Sequence, residues 1–220
     1  AVGNTDTATV TITVTPVNDN LPVADTESFT VAEGGTATEA DLDSGTSLLD
    51  GDTDLDLPGD TLTVDTTPAS GPAHGALILN ADGTFTYTHD GSENFTDSFT
   101  YRVRDAVGNT DTATVTITVT PVNDNTPVAD TESFTVAEGG TATQADLDSG
   151  VSLLDGDTDV DLPFDALTVD TTPVAGPAHG ALTLNADGTF SYTHDGSENF
   201  TDSFTYRVRD AVGNTDTARS

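Results

Sequence analysis

Residues 113–125 read Ala-Thr-Val-Thr-Ile-Thr-Val-Thr-Pro-Val-Asn-Asp-Asn, and the same run stands at residues 8–20. Its first part alternates strictly, with Ala113, Val115, Ile117 and Val119 on one face and threonine on the other. That is the period of a half-buried β-strand, and β-branched threonine suits the solvent face. Pro121 and Pro127 forbid a helix in the segment they enclose. There Asn123, Asp124 and Asn125 present consecutive oxygen-bearing side chains, as Asn18, Asp19 and Asn20 do earlier. A strand that runs straight into such a linker predicts a β domain joined to the next by a cation site, since a hard cation takes roughly six to eight oxygens.

The duplication extends far beyond this run. Residues 1–113 overlay residues 106–218 at a shift of 105 with ten differences, among them Leu55 against Val160, Gly59 against Phe164 and Ile78 against Thr183. So long a period is a whole domain, because solenoid units recur about every 20–50 residues. The expected division is the final strand of a preceding repeat at 1–16, a linker at 17–20, and a first repeat at 21–121. A calcium-binding linker comes next at 122–125, then a second repeat at 126–218 that lacks its last strand. Arg219-Ser220 breaks the match and reads as a cloning remnant.

Charge narrows the function. The chain has 220 residues, with 38 acids against five arginines and no lysine, for a formal net charge of −33. It has no clustered Lys and Arg to hold a phosphate backbone, so no nucleic-acid partner is expected. No apolar run approaches the ~18 residues of a membrane span, so no membrane insertion is expected. Self-repulsion of this size asks for counterions or divalent metal. With no cysteine, thiolate-held zinc and iron–sulfur sites are set aside.

Within a repeat the signal is period two throughout. Phe29 and Val31, Leu62 and Val64, Leu77 and Leu79, Phe85 and Tyr87, and Phe99, Tyr101 and Val103 all alternate with polar neighbours. Turn pairs such as Asp82-Gly83 and Gly108-Asn109 punctuate them. The pattern predicts an all-β chain of two tandem Greek-key β-sandwich domains, cadherin- or immunoglobulin-like, of about seven strands each. Antiparallel pairing is expected, because no crossover helix is available. His74 and His89 fall at predicted strand ends with no nucleophile beside them. They read as structural, and no catalysis is expected.

The acids are unevenly spread. Asp50, Asp52, Asp54 and Asp56 alternate, and Asp155, Asp157, Asp159 and Asp161 copy them. Extended, such a segment would put its carboxylates on one side. It is not an EF-hand loop, since Leu55 replaces the sixth-position glycine and Thr61 the twelfth-position glutamate.

Asn-Asp-Asn followed about 30 residues later by Asp-x-Asp, with Glu33 between, resembles the cadherin repeat, whose linker holds calcium between domains. The order of an Asp-rich turn, Leu-Thr-Val, His-Gly, Asp-Gly-Thr-Phe-x-Tyr, Asp-Ser-Phe-x-Tyr and Val-Asn-Asp is closer still to bacterial cadherin-like tandem repeats. The resemblance implies Ca2+ as cofactor. At the central junction it implies ligands Glu33 and Asp97 or Glu93, then Asn123, Asp124 and Asn125, then Asp155, Asp157 or Asp159, and Asp210. The corresponding positions of the other copy are Asn18, Asp19, Asn20, Asp50, Asp52, Asp54 and Asp105, with Glu138 matching Glu33. The chain departs from cadherins in placing Pro121 where an acid usually precedes Asn-Asp-Asn, and in lacking a Leu-Asp-Arg-Glu segment.

The function so implied is a calcium-rigidified spacer of an extracellular bacterial cell-surface adhesin, projecting a tip for adhesion or biofilm formation. Its partners would be neighbouring repeats. The alternatives are repeats that themselves bind carbohydrate or a partner repeat, or an acidic accessory domain of a secreted enzyme. Residues 8–15, identical to the strand that closes the first repeat, are further expected to complement the second repeat of a neighbouring molecule, head to tail, with Val10, Ile12 and Val14 facing its core.

Overall fold

The computed structural model describes residues 2–15, 17–148, 150–163 and 165–220. The chain divides into two units, Ala1–Thr120 and Pro121–Ser220. Among its described residues the first holds seven strands: β1 (Glu27–Ala32), β2 (Thr36–Thr38), β3 (Thr63–Val64), β4 (Gly75–Leu79), β5 (Phe85–His89), β6 (Thr96–Arg104) and β7 (Thr110–Thr120). One sheet runs in the order β1-β7-β6-β3 and the other β2-β5-β4. Between them lie Phe29, Phe85, Tyr87, Phe99, Tyr101, Val103, Val115 and Ile117, all essentially sealed from solvent.

The alternating run from Ala113 forms the second half of β7, the longest strand. Val115, Ile117 and Val119 face inward and Thr114, Thr116 and Thr118 outward. β7 pairs antiparallel with β6, from Thr96 opposite Thr118 to Arg104 opposite Thr110. Its other neighbour is β1, and that pairing is parallel, Glu27 opposite Val115 through Ala32 opposite Thr120. Purely antiparallel pairing was the expectation. A parallel pair needs a long return path rather than a helix as such, and here the five intervening strands supply it.

The second unit repeats the plan with β8 (Thr141–Thr143), β9 (Thr168–Val169), β10 (Gly180–Leu184), β11 (Phe190–His194), β12 (Thr205–Arg209) and β13 (Thr215–Arg219). Its sheets run β10-β11-β8 and β13-β12-β9. Among the described residues this unit has six strands, β13 being a shortened counterpart of β7. The sequence of β1 recurs at 132–137, yet makes only an isolated bridge between Phe134 and Leu147. A strand needs a backbone partner, and β13 matches only the first part of β7. For the same reason residues 2–15, read from sequence as a strand, form none, and Val10, Ile12 and Val14 are each about four-fifths exposed.

Candidate metal centre

The acidic loop lies between β2 and β3 and turns repeatedly instead of extending. Gly51 takes φ +93°, and a Cβ there would collide with the Asp25 carboxylate. Paired backbone hydrogen bonds between Val23 and Thr53 (2.8 and 3.0 Å) pin the loop, leaving Thr53 exposed and Asp52 and Asp54 buried. The alternating acids therefore do not share one side, as period two had led us to expect, but separate to four destinations. Asp50 stays exposed and accepts from the Thr46 amide (2.5 Å). Asp52 accepts from the Asp25 amide (2.8 Å) and the Tyr101 hydroxyl (3.0 Å). Asp56 accepts from the amides of Asp19 (3.1 Å) and Asn20 (2.8 Å) and from the Asn20 side chain (3.0 Å).

Of the four, Asp54 joins a cluster. It meets Asp60, from the end of the same loop, and Asp105, which comes just after β6. Each offers a carboxylate oxygen within 4.8 Å of the others. All three are more than nine-tenths buried. Asp54 spends one oxygen on the Asp56 amide (2.9 Å), and Asp60 one on the Ala106 amide (3.2 Å). The second oxygen of each, Oδ2, is buried without a hydrogen bond. Asp105 is held by the amides of Val107, Gly108 and Asn109 and by the Asn109 side chain (2.7 Å). That same Asn109 donates to the Asn20 carbonyl (3.2 Å). The linker Asn20 is thus gripped by Asp56 through its amide and by Asn109 through its carbonyl, beside the three acids.

The second unit rebuilds the arrangement. Asp159, Asp165 and Asp210 converge in the same way, and Oδ2 of both Asp159 and Asp165 is buried without a partner. Asp161 accepts from the Asn125 amide (2.9 Å), and Asn214 donates to the Asn125 carbonyl (2.8 Å). Buried carboxylate oxygens without donors are costly, and three acids this close repel one another. Burial pushes the Asp159 carboxyl above its usual range, and the nearby Asp161, Asp165 and Asp210 carboxylates push it further. An all-oxygen, carboxylate-rich donor set with unspent oxygens fits a hard dication such as calcium and offers nothing to a soft metal. Oδ1 of Asn18 and of Asn123, in the two linkers, is likewise buried without a donor.

The other expected ligands lie outside these two clusters. Glu33 is buried just past β1, its amide bonded to the Thr120 carbonyl (2.9 Å), whereas Glu138 is exposed because its repeat has no β1 strand. Asp97 takes the amides of Ala73, His74 and Ser98 and the Tyr87 hydroxyl at 2.8–3.0 Å, closing the turn before β4. Burial raises its pKa, but those donors outweigh it and the carboxyl sits below its usual value. Asp155 repeats Asp50 in accepting from the backbone of Val151, and Asp157 repeats Asp52 in accepting from the Asp130 amide (2.8 Å). Asp19 and Asp124 are exposed, each accepting from the asparagine after it. Sequence reasoning missed Asp60 and Asp165. The one signal for them is internal: both neighbours change between repeats, Gly59 to Phe164 and Thr61 to Ala166, while the aspartate stays.

The histidines are structural. His89 is buried and accepts at Nδ1 from the amides of Gly34 and Gly91 (3.2 Å each), and His74 pairs with Asn94 (3.0 Å).

Comparison with known proteins gives a consistent picture. The family model described as a bacterial cadherin-like domain matches residues 18–121 and again 123–220. The human extracellular matrix organizing protein FRAS1 is 30% identical over 144 residues, 57% of this chain, and the chain spans only 3% of that relative's length. The extracellular domain of protocadherin gamma B4 superimposes with a TM-score of 0.56 at 16% identity, over 96% of this chain and 36% of that one. Two repeats of human mucin-like protocadherin give 0.52 at 18% identity, over 90% of this chain and 95% of that one. At such identities the structural likeness speaks for the fold.

Proposed function

This chain belongs to the bacterial cadherin-like domain family, in two successive repeats, and from that premise we propose that it is a calcium-stabilised spacer in an extracellular adhesive protein of the bacterial surface. The observation that carries the reading is the buried three-carboxylate cluster built twice. Asp54, Asp60 and Asp105, and again Asp159, Asp165 and Asp210, would hold the ion. Bound there, calcium supplies positive charge to acids that otherwise repel.

The protein's own residues do the rest. Asp56 and Asn109 fix the linker Asn20 to the repeat after it, and Asp161 and Asn214 fix Asn125. Neutralising the cluster and immobilising the linker then become one event, and a string of repeats stiffens. Asn18 and Asn123, with the sequence-expected Asp19, Asp124 and Glu33, extend the donor set. No helix among the described residues is long and apolar enough to cross a membrane. The extracellular settings named for the relatives support the same localisation, and a tip for adhesion or biofilm formation would lie elsewhere in the larger protein.

Calorimetric titration with calcium, read together with thermal melting and small-angle scattering, tests the proposal. We expect at least one ion per repeat, and stabilisation of about 2.7 kcal/mol per site at 100 times the dissociation constant. Magnesium, which demands tight octahedral geometry, should substitute poorly. Absence of binding heat together with unchanged melting would overturn the reading.

A further inference from the structure

We propose that the outer face of the sheet β1-β7-β6-β3 binds an acidic polysaccharide, with Arg102 taking a uronate carboxylate and the threonines of β7 the sugar hydroxyls. The proposal goes beyond the spacer role and does not depend on calcium.

The face departs from the rest of the molecule in charge. The chain carries 38 acids in 220 residues, yet β1, β3, β6 and β7 turn outward only threonine, serine, one alanine and two arginines. The acids of the same strands, Glu27, Asp97 and Asp111, occupy inward positions. Glu27 and Asp97 are buried, and Asp111 lies opposite Val103 and accepts from the Ala24 amide (3.0 Å). Pairing lines the hydroxyls up in rows across three strands, Ser28–Thr116–Ser98 and Thr30–Thr118–Thr96. Along β7 the threonines recur every second residue, roughly 6.7 Å apart. The hydroxyls of Thr112, Thr114, Thr116 and Thr118 make no hydrogen bond within the described residues. Each leaves a donor and an acceptor for a ligand.

Positive charge is confined to one end of this face. Of the chain's five arginines, Arg102 and Arg104 take successive outward positions on β6, and Arg207 and Arg209 are their counterparts on β12. Both members of the first pair share Asp65. Arg104 gives it a fork, Nε at 2.8 Å and Nη2 at 2.9 Å, whereas Arg102 gives only Nη1 at 3.2 Å. Two guanidinium groups on one carboxylate leave a net positive charge. The Nε–Nη2 edge of Arg102 donates to no group of the described residues, and such an edge grips a carboxylate through two parallel hydrogen bonds. The Arg102 side chain is 37% exposed, and Thr112 stands directly opposite on β7. The second repeat rebuilds this end. Arg207 gives Asp170 only Nη1 (3.2 Å), beside a shallow pocket lined by Thr171, Thr172, Pro173 and Val174. Asp43, held by Ser28 (2.7 Å) at the β1 edge, keeps like charge away from Arg102, so the carboxylate seats on the β6 side. A polymer whose units each carry a carboxylate and several hydroxyls matches a cationic end followed by hydroxyl rows.

Titration of the full chain with a galacturonate trimer, followed by amide NMR shifts, tests the proposal. Saturable shifts should centre on Arg102, Thr112 and Thr114, and on Arg207, with and without calcium. The methyl ester of the trimer, which lacks the charge, should bind at least about tenfold more weakly. Arg102→Gln should abolish the shifts at Thr112 and Thr114 and spare those at Arg207, since Arg104 still holds Asp65. Arg102→Lys should not restore them, because an ammonium offers no fork. Thr112→Glu, an exposed change that leaves Arg102 in place, should block the same site by supplying a carboxylate of its own. Absence of saturable shifts, equal binding of the methyl ester, or shifts at Thr114 that survive Thr112→Glu overturns the proposal. So does binding that requires calcium and centres on Asp54 and Asp105, which would be uronate held through the metal. Concentration-dependent shifts of the same residues without sugar would assign the face to a second copy of the chain, and also overturn it.

Discussion

At the scale of single residues, the molecule sorts its carboxylates into those with donors and those without. Asp60→Asn removes a charge from the cluster while keeping the side chain's shape. We expect it to weaken calcium binding in the first repeat more than tenfold, yet to raise the melting temperature of the metal-free protein, because one like charge is gone. Asp82→Ala, in the hairpin turn before Thr84, should leave the calcium response unchanged. Equal losses in both variants, read by calorimetry, would contradict this assignment. A second expectation concerns pH. Burial pushes Asp52 and Asp157 up to about 7, hydrogen bonds from the Asp25 and Asp130 amides pull back, and the adjacent Asp25 and Asp130 carboxylates push further. A carboxyl with a raised folded pKa has no effect on stability below its unfolded value near 4. Its ionisation then costs stability progressively as pH climbs from there to the folded value near 7. Asp202, held down at about 2 by backbone amides and Tyr192 despite its burial, acts oppositely: its contribution is whole above pH ~4 and is lost toward 2. Metal-free protein should therefore be most stable near pH 4–5 and lose stability toward neutrality, as thermal melts across pH will show. A flat profile between pH 5 and 8 would refute the assignment.

At the scale of elements, β7 decides whether its neighbours become strands. The same β1 sequence is a full strand against β7 in one repeat and an isolated bridge in the other. Ile117, wholly buried in the centre of β7, is the residue on which that sheet closes. Ile117→Ala should cost the first repeat about 2–5 kcal/mol and speed hydrogen exchange in β1 as well as β7. Destabilisation confined to β7 would mean that β1 stands on its own. The turn before β4 has a different anchor, Asp97. Replacing it with alanine leaves the amides of Ala73, His74 and Ser98 without their acceptor.

At the scale of the whole molecule, net charge and duplication act together. A net charge of −33 opposes compaction and is screened by salt. The two repeats feel this alike but differ in how completely their cores are sealed. Calorimetry of dilute, calcium-free protein should resolve two transitions, the lower belonging to the second repeat, with both rising as sodium chloride is added. Selective broadening of the Tyr192 and Tyr206 resonances before those of Tyr87 and Tyr101 would assign the order. A single transition with all four tyrosines lost together would contradict it.

Period two, turn residues and a 105-residue repeat were enough to determine two all-β domains, their main strands and the inward faces of Phe99, Tyr101, Val115 and Ile117. These are local properties, because side-chain alternation follows from backbone geometry alone. The acid-rich loop and the oxygen-bearing linker were also legible as composition. What the sequence could not determine was which acids meet. Asp50, Asp52, Asp54 and Asp56 look equivalent in a row, but only Asp54 of these reaches Asp105, and Asp60, outside the row, joins it. That selection depends on the turns at Gly51 and beyond, on the Val23–Thr53 bridge, and on the end of β6 arriving from some 50 residues away. The parallel β1–β7 pair is likewise a product of the closed sandwich. Contacts between residues far apart in the chain are set by how the sheets close, and no spacing within a short stretch records them.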